Sequence, residues 1–425
     1  MLKEFISSLY DKFLSSTGVN TDTRSIEKGQ LFFALRGDNF DGNQYAQQAI
    51  ASGASYAVVD DPAIVKDDRC ILVDSVLQSL QLLANHHRRQ FTFPFLAITG
   101  SNGKTTTKEL TARVLGERYK VHYTRGNLNN HIGVPLTLLG INSEVDFAII
   151  EMGANHLGDI SLLCRIAEPT HGLITNIGTA HIGEFGGRDN IIRAKSELFD
   201  YLRKTDGLPF INKLDSVLVN MSKRFEKSVD YPNDSCKLIE AKPYVNYLDD
   251  QDHEHSTEII GEYNYMNIAA AVTVAKHFEV DYPYNAIDTY QPDNNRSQIV
   301  EIGSNTIILD AYNANPDSMK AALRNLANMN VGKKIAMLGE MKELGDYTMV
   351  EHERIVSEAE ELGIKNLYLV GNEFKKASEF VHVLLDVDRL IDYLREDKIS
   401  GATVLIKGSR SMQMERLIQN KEIWD

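Results

Sequence analysis

The sequence predicts an α/β protein of three domains. Two observations carry that reading: a chain of 425 residues, and apolar strand-like runs that alternate with amphipathic helical stretches along most of it. A chain this long exceeds one ordinary hydrophobic core. Strands alternating with helices argue for mostly parallel, doubly wound sheets. The expected units are a small α/β module over 1–92, a central mostly parallel sheet domain over 93–293 and a C-terminal α/β domain over 294–425.

The N-terminal stretch MLKEFISSLYDKFL is amphipathic, interrupted by acids and without a small-residue cleavage site, so it reads as a helix and not a signal peptide. QLFFAL (30–35) and SYAVVD (55–60) read as strands, with NQYAQQAIASGA (43–54) as the helix between them, ending at Gly53. VLQSLQLLANHHRRQF closes the module as an amphipathic helix. The second region opens with the strand Phe95–Thr99 and a helix over Thr105–Tyr119. It continues with the strands DFAIIEMG (146–153) and HGLITNIG (171–178). The segment 213–258 is polar and irregular and reads as peripheral strands and loops. Its His253 and His255 sit among acids, the pattern of a solvated charged turn. DTYQPDNNRSQ (288–298) has the composition of a linker. After it TIILDAYN, KKIAMLGEM, NLYLVGN and TVLIKGS restart the α/β rhythm of a Rossmann-like unit.

A formal net charge of −14 argues against general nucleic-acid binding and against an anionic membrane surface. No run of about 18 apolar residues predicts a membrane-spanning helix. Cys70, Cys164 and Cys236 are far apart and odd in number, so they read as buried thiols in a reducing, cytoplasmic setting. The chain is taken as a monomer.

The strongest chemical signal is FLAITGSNGKTTTKEL (95–110). Gly100 and Gly103 let backbone N–H groups turn inward toward an anion. The helix that follows points its positive end at the same place. Ser101 and Asn102 shape the turn, Lys104 can reach phosphates, Thr105 can ligate Mg²⁺, and Thr106 continues the first helical turn. Ile98 stands where the longer form of this loop has its first glycine. A nucleotide triphosphate with Mg²⁺ is therefore expected. The loop alone leaves hydrolysis, kinase and ligase chemistry open. Other strand ends carry Glu151, Asn176, Asp310, Glu340, Lys407 and, just beyond, Arg410, and ligands bind at the carboxyl ends of parallel strands. Glu151 suits Mg²⁺ through oxygen. His181 is as well read as a hydrogen-bonding residue, and Lys195 carries no signal by itself. Asn264 and Asn267, at i and i+3, could read an adenine edge or serve as caps. Asp310 could hold a ribose hydroxyl pair.

Taken together these stretches resemble the Mur ligase family over nearly the whole chain. TGSNGKTT looks like the family's ATP loop, and Glu151, His181 and Lys195 match its metal-site positions, with the lysine carbamylated in several members. DAYNANP (310–316), LGEMKELG (338–345) and IKGSR (406–410) resemble the member that joins D-alanyl-D-alanine to UDP-N-acetylmuramoyl-tripeptide through an acyl phosphate. TDTRSIEKGQLFFALRGDNFDGN (21–43) resembles its UDP-substrate module. The resemblance implies Thr23, Arg24, Asp41, Gly42, Asn127 and Asn130 on the UDP-substrate side. It places Arg296, Asp310 and Asn313 on the nucleotide, and Glu340, Lys407 and Arg410 on the dipeptide side. Four positions depart from the usual pattern: Thr23 for Ser, Asn43 for His, Tyr263 for His and Glu340 for Asp. The rivals are the sister ligase that adds the third peptide residue, a small-molecule kinase, and a nucleotide-binding scaffold that lost turnover.

Overall fold

Runs of Leu, Ile, Val and Phe that are largely buried form three mostly parallel sheets, as expected for strands covered by helices. The computed structural model describes residues 2–292, 295–377 and 382–425. The first sheet has the strand order Val19–Asn20, Leu31–Phe33, Tyr56–Val59, Cys70–Leu72, all parallel. The second has six parallel strands in the order Val229–Tyr231, Leu208–Asn212, His171–Ile174, Phe95–Thr99, Phe147–Glu151, Val121–Tyr123. The third runs Gln298–Ile302, Asn305–Asp310, Ala402–Lys407, Lys333–Gly339, Asn366–Val370, Val383–Leu384, and only its first pair is antiparallel.

Two sequence expectations change here. The segment 213–258 is more regular than its polarity suggests: Val229–Tyr231 is an edge strand of the central sheet. Lys237–Ala241, Tyr244–Leu248 and Glu254–Ile260 form an antiparallel sheet of their own. His255 is buried there, stacked on Tyr247 and Tyr284 with Nδ1 2.7 Å from Asp288, so only His253 belongs to a solvated turn. The expected linker 288–298 is shorter than its composition suggests, because Gln298 already starts an edge strand; its Asp293 and Asn294 lie outside the described residues. The helix after the phosphate loop spans Lys104–Leu115, ending at Gly116. All three cysteines are free and buried, and among the described residues no helix is long and apolar enough to cross a membrane.

The N-terminal module is fixed to the central domain by the last turn of helix Val76–Arg88. Arg88 is 6% exposed. Its guanidinium donates to the carbonyls of Phe91 (2.9 Å), Ala167 (2.8 Å) and Glu168 (2.8 Å) and lies 3.6 Å from the Phe95 ring centroid. Asn85 donates to the carbonyls of Arg165 and Ile166, and Arg89 pairs with Glu168 at 2.6 Å. These donors satisfy the last carbonyls of helix Asp159–Ala167 and that of its cap Glu168, whose own N–H returns to the Cys164 carbonyl. Replacing Arg88 by Ala orphans three carbonyls and removes the ring contact. We expect a loss of about 2–4 kcal/mol in denaturant unfolding, with the phosphate loop untouched; an unchanged midpoint would refute the docking role.

Candidate active site

The carboxyl ends of the second and third sheets face one cavity of about 1170 Å³. Register explains the gathering. Glu151 pairs with Ile98 at the end of the loop strand, and Asp310 pairs with Lys407 at the end of the third sheet's central strands.

The phosphate loop is held open from behind. Asn176 accepts from the Asn102 amide (3.0 Å) and donates to its carbonyl (3.1 Å), while Ser101 N–H donates to the Asn176 carbonyl (3.1 Å). Thr175 Oγ1 donates to the Asn102 carbonyl at 2.6 Å. Gly100 and Gly103 have φ of +147° and +78°, which glycine adopts without penalty. Ser101, Asn102, Gly103, Lys104, Thr105 and Thr106 line the cavity. Lys104 Nζ donates to the Gly100 carbonyl at 2.7 Å, curled over its own loop. Burial pushes its ammonium below the ordinary lysine range, partly offset by Glu151. Asn264 and Asn267 line the same cavity, but their amides are turned on each other and on the loop. Asn267 Nδ2 donates to Asn264 Oδ1 (2.8 Å), and Thr107 Oγ1 donates to Asn267 Oδ1 (3.0 Å). They brace the loop.

Glu151 is 2% exposed. Its Oε1 accepts from Asn129 Nδ2 at 2.8 Å and from the Thr105 hydroxyl at 3.3 Å, while Oε2 is buried without a hydrogen-bond partner. An orphaned carboxylate oxygen beside a hydroxyl is an oxygen donor set that fits Mg²⁺. His181 lines the cavity with φ +59°, its Nδ1 3.1 Å from Glu184 and 2.8 Å from Glu343. Lys195 is 2% exposed and does not line the cavity; its Nζ lies 5.7 Å from the Phe185 ring centroid. Burial, and then the Lys104 charge, push its ammonium well below the ordinary lysine range.

On the third domain, Lys407 Nζ donates to Asp310 Oδ2 (2.5 Å) and to the Asn313 carbonyl (3.2 Å). Asp310 Oδ1 accepts from Ser297 N–H, and Tyr263, in the position expected for His, shares a 2.8 Å hydrogen bond with the Ser297 hydroxyl. Arg296 stacks on Tyr312 at 3.7 Å. All of these line the cavity. Of the three residues expected on the dipeptide side, only Lys407 lines the cavity, where it pairs with Asp310. Glu340 instead pairs with Lys342 and accepts from the Glu373 amide, and Arg410 pairs with Glu415 at 2.8 Å, neither on the cavity wall.

The two domains close directly over the loop. Asn315 Nδ2 donates to Asn102 Oδ1 at 2.7 Å, and Asp317 Oδ2 accepts from both the amide (2.6 Å) and the hydroxyl (2.9 Å) of Thr179. Gly183 N–H donates to the Glu343 carbonyl at 3.1 Å. Asn129, Asp317 and Glu343 were not singled out by the sequence. Asn129 lies between Asn127 and Asn130, and all three line the cavity; Asn130 Oδ1 also accepts from the amides of Ile132 and Gly133. Thr23, Arg24, Asp41 and Gly42 lie outside the cavity on two short turns. Asp22 caps the first and pairs with Arg24 at 2.6 Å; Asp41 caps the second. Asn43, in place of the usual His, is 1% exposed and bridges Asp41 and Asp60, both at 2.8 Å.

Family models match all three parts: "Mur ligase family, catalytic domain" over residues 15–90, "Mur ligase middle domain" over 98–275 and "Mur ligase, glutamate ligase domain" over 295–410. The chain is 38% identical to the UDP-N-acetylmuramoyl-tripeptide–D-alanyl-D-alanine ligase of Synechocystis sp. over 83% of this chain and 79% of that one. It is 32% identical to the enzyme of the same name from Bacillus subtilis over 95% and 92%. The chain belongs to the Mur ligase family. Among solved structures it is similar to MurF from Acinetobacter baumannii, with a TM-score of 0.85, 29% identity and coverage of 97% and 98%. It is equally similar in fold to the MurF ligase of Thermotoga maritima in complex with ADP, with a TM-score of 0.85, 25% identity and coverage of 96% and 98%.

In this Mur ligase the loop packs closely against helix Glu262–His277. A Cβ on Gly103 would sit 2.4 Å from Asn267 Oδ1. Gly103→Ala is expected to weaken ATP binding about tenfold or more, because both the clash and the left-handed φ move the loop. Equilibrium binding of a fluorescent ATP analogue checks this, and wild-type affinity would show that the loop tolerates the shift.

Proposed function

We propose that this chain joins D-alanyl-D-alanine to UDP-N-acetylmuramoyl-tripeptide at the expense of ATP, releasing ADP and phosphate. The observation that carries the reading is the single cavity. It joins the phosphate loop and Glu151 of the central sheet to Asp310, Asn313 and Lys407 of the third, and runs on past Asn127, Asn130, His131 and Arg188. That is room for a nucleotide at one end and a peptide carboxylate next to its terminal phosphate. The names of the relatives supply the substrates.

ATP lies with its phosphates on the loop amides and Lys104, and Asp310, Asn313 and Arg296 hold the nucleoside side. Thr105, Glu151 and His181 would hold Mg²⁺, which when bound neutralises the developing charge on the phosphates. The tripeptide's terminal carboxylate oxygen bonds to the γ-phosphorus as the bond to ADP breaks. A carboxylate acylates poorly because its oxygen leaves badly, and the phosphoryl group corrects that. The dipeptide amine then bonds to the acyl carbon, loses a proton, and phosphate leaves with one former carboxylate oxygen. The chain supplies positioning and charge neutralisation. The contacts of Asn315 with the loop, and of Asp317 and Glu343 with residues 179–183, close the third domain over the site, which would shield the acyl phosphate from water.

We infer that Lys195 accepts carbon dioxide, as the family resemblance implies. Only the neutral amine reacts to form a carbamate, and burial favours that form. The product would be an acid in the neighbourhood of Lys104, whose charge already acts on it.

With ATP, Mg²⁺, UDP-N-acetylmuramoyl-tripeptide and D-alanyl-D-alanine present, phosphate release is expected to depend on the dipeptide. Equal release without it would sink the ligase reading. Lys104→Ala should lower the dipeptide-dependent rate about a hundredfold or more. Depleting carbon dioxide should lower the wild-type rate, and bicarbonate should restore it; indifference to bicarbonate would argue against the carbamate.

A further inference from the structure

Among the described residues, the reaction leaves the buried cation Lys108 without a task. Lys108 lies one turn beyond Lys104 on the helix Lys104–Leu115, is 1% exposed, and does not line the cavity. Its Nζ is 3.7 Å from Glu151 Oε2 and 3.7 Å from Glu109 Oε1, and 5.7 Å from the Tyr123 ring centroid. An ammonium this deeply buried needs a compensating charge. The oxygen it faces on Glu151 is the one left without any hydrogen bond, whereas Oε1 is engaged by Asn129 and Thr105. Glu109 is a second carboxylate at the same distance, and its other oxygen accepts from the Tyr290 hydroxyl at 2.8 Å.

We propose that Lys108 is a positioning residue that acts as the built-in counter-ion of Glu151, competing with the divalent cation for Oε2 and so setting the cation concentration at which the site fills. The inference rests on reading Glu151 as a Mg²⁺ ligand. Without the cation, Lys108 compensates a carboxylate that would otherwise be buried and unpaired. With it, the same carboxylate is compensated twice, and the ammonium and Mg²⁺ repel each other. Glu109 gives Lys108 somewhere to go. The pair therefore keeps the Glu151 carboxylate in place in the empty site while holding Mg²⁺ affinity below what the ligands alone would give. A lysine that merely filled space on the helix would have the opposite signature on removal, because a loosened site binds metal less well.

The test is a MgCl₂ titration of the full chain with ADP bound, read by calorimetry and by the melting temperature with and without Mg²⁺. Lys108→Gln is expected to bind Mg²⁺ about fivefold or more tightly than wild type, to melt lower without metal, and to gain more from Mg²⁺. Lys108→Arg, which keeps the charge, is expected to match wild type. Glu109→Gln, whose amide can keep the Tyr290 hydrogen bond, leaves Lys108 only Glu151 and is expected to weaken Mg²⁺ binding. It carries the test alone if Lys108→Gln does not fold without metal. Unchanged or weaker Mg²⁺ binding by folded Lys108→Gln, or unchanged or tighter binding by Glu109→Gln, overturns the proposal. If wild type takes up no Mg²⁺ at all, the metal-site reading falls and the inference with it. Uptake by wild type with either contrary variant result overturns the inference alone.

Discussion

The active site depends on one electrostatic arrangement: a positive turn of backbone, backed by Lys104, at the floor of a cavity that two sheets share. The loop is positive before any phosphate arrives. Its glycines hold a left-handed shape, and Asn176 and Thr175 tie Asn102 in place from behind. In the structure Lys104 satisfies itself on the Gly100 carbonyl. That contact is local and exchangeable, so a phosphate oxygen can take the ammonium with little rearrangement. Preorganisation of this kind lowers the cost of binding a highly charged ligand.

The negative charge in the site is distributed to match. Glu151 has one oxygen satisfied and one without a hydrogen bond, and Asp310 is tied to Lys407. Asp317 and Glu343 lock the third domain to residues 179–183 of the second. The acids thus differ in geometry: Glu151 keeps one oxygen without a hydrogen bond, whereas the acids that hold the domains together have theirs filled.

The fold was largely legible because each strand is a run of apolar residues bounded by glycine or polar punctuation, and because the loop after Phe95–Thr99 joins a strand to a helix in a recognisable order. The polar segment 213–258 was less legible, since an antiparallel sheet with one face in water alternates polar and apolar residues and lowers the apparent hydrophobicity. His255 misled for the same reason: its neighbours in sequence are acids, but its neighbours in space are Tyr247 and Tyr284. Among site residues, Lys104, Thr105 and Glu151 sit in patterned stretches and could be found. Asp317 and Glu343 could not, because they matter only through residues 138 and about 160 positions away, brought opposite by closure. Lys407 was visible at a strand end, yet its partner Asp310 is set by sheet register, which the sequence does not display.

What separates a ligase from a kinase or an ATPase on this scaffold is the atom that receives the γ-phosphoryl group. The most direct measurement uses UDP-N-acetylmuramoyl-tripeptide labelled with heavy oxygen in its terminal carboxylate, with ATP, Mg²⁺ and D-alanyl-D-alanine, and mass analysis of the phosphate released. Transfer through an acyl phosphate predicts one labelled oxygen in each phosphate. Phosphate without label would contradict the account.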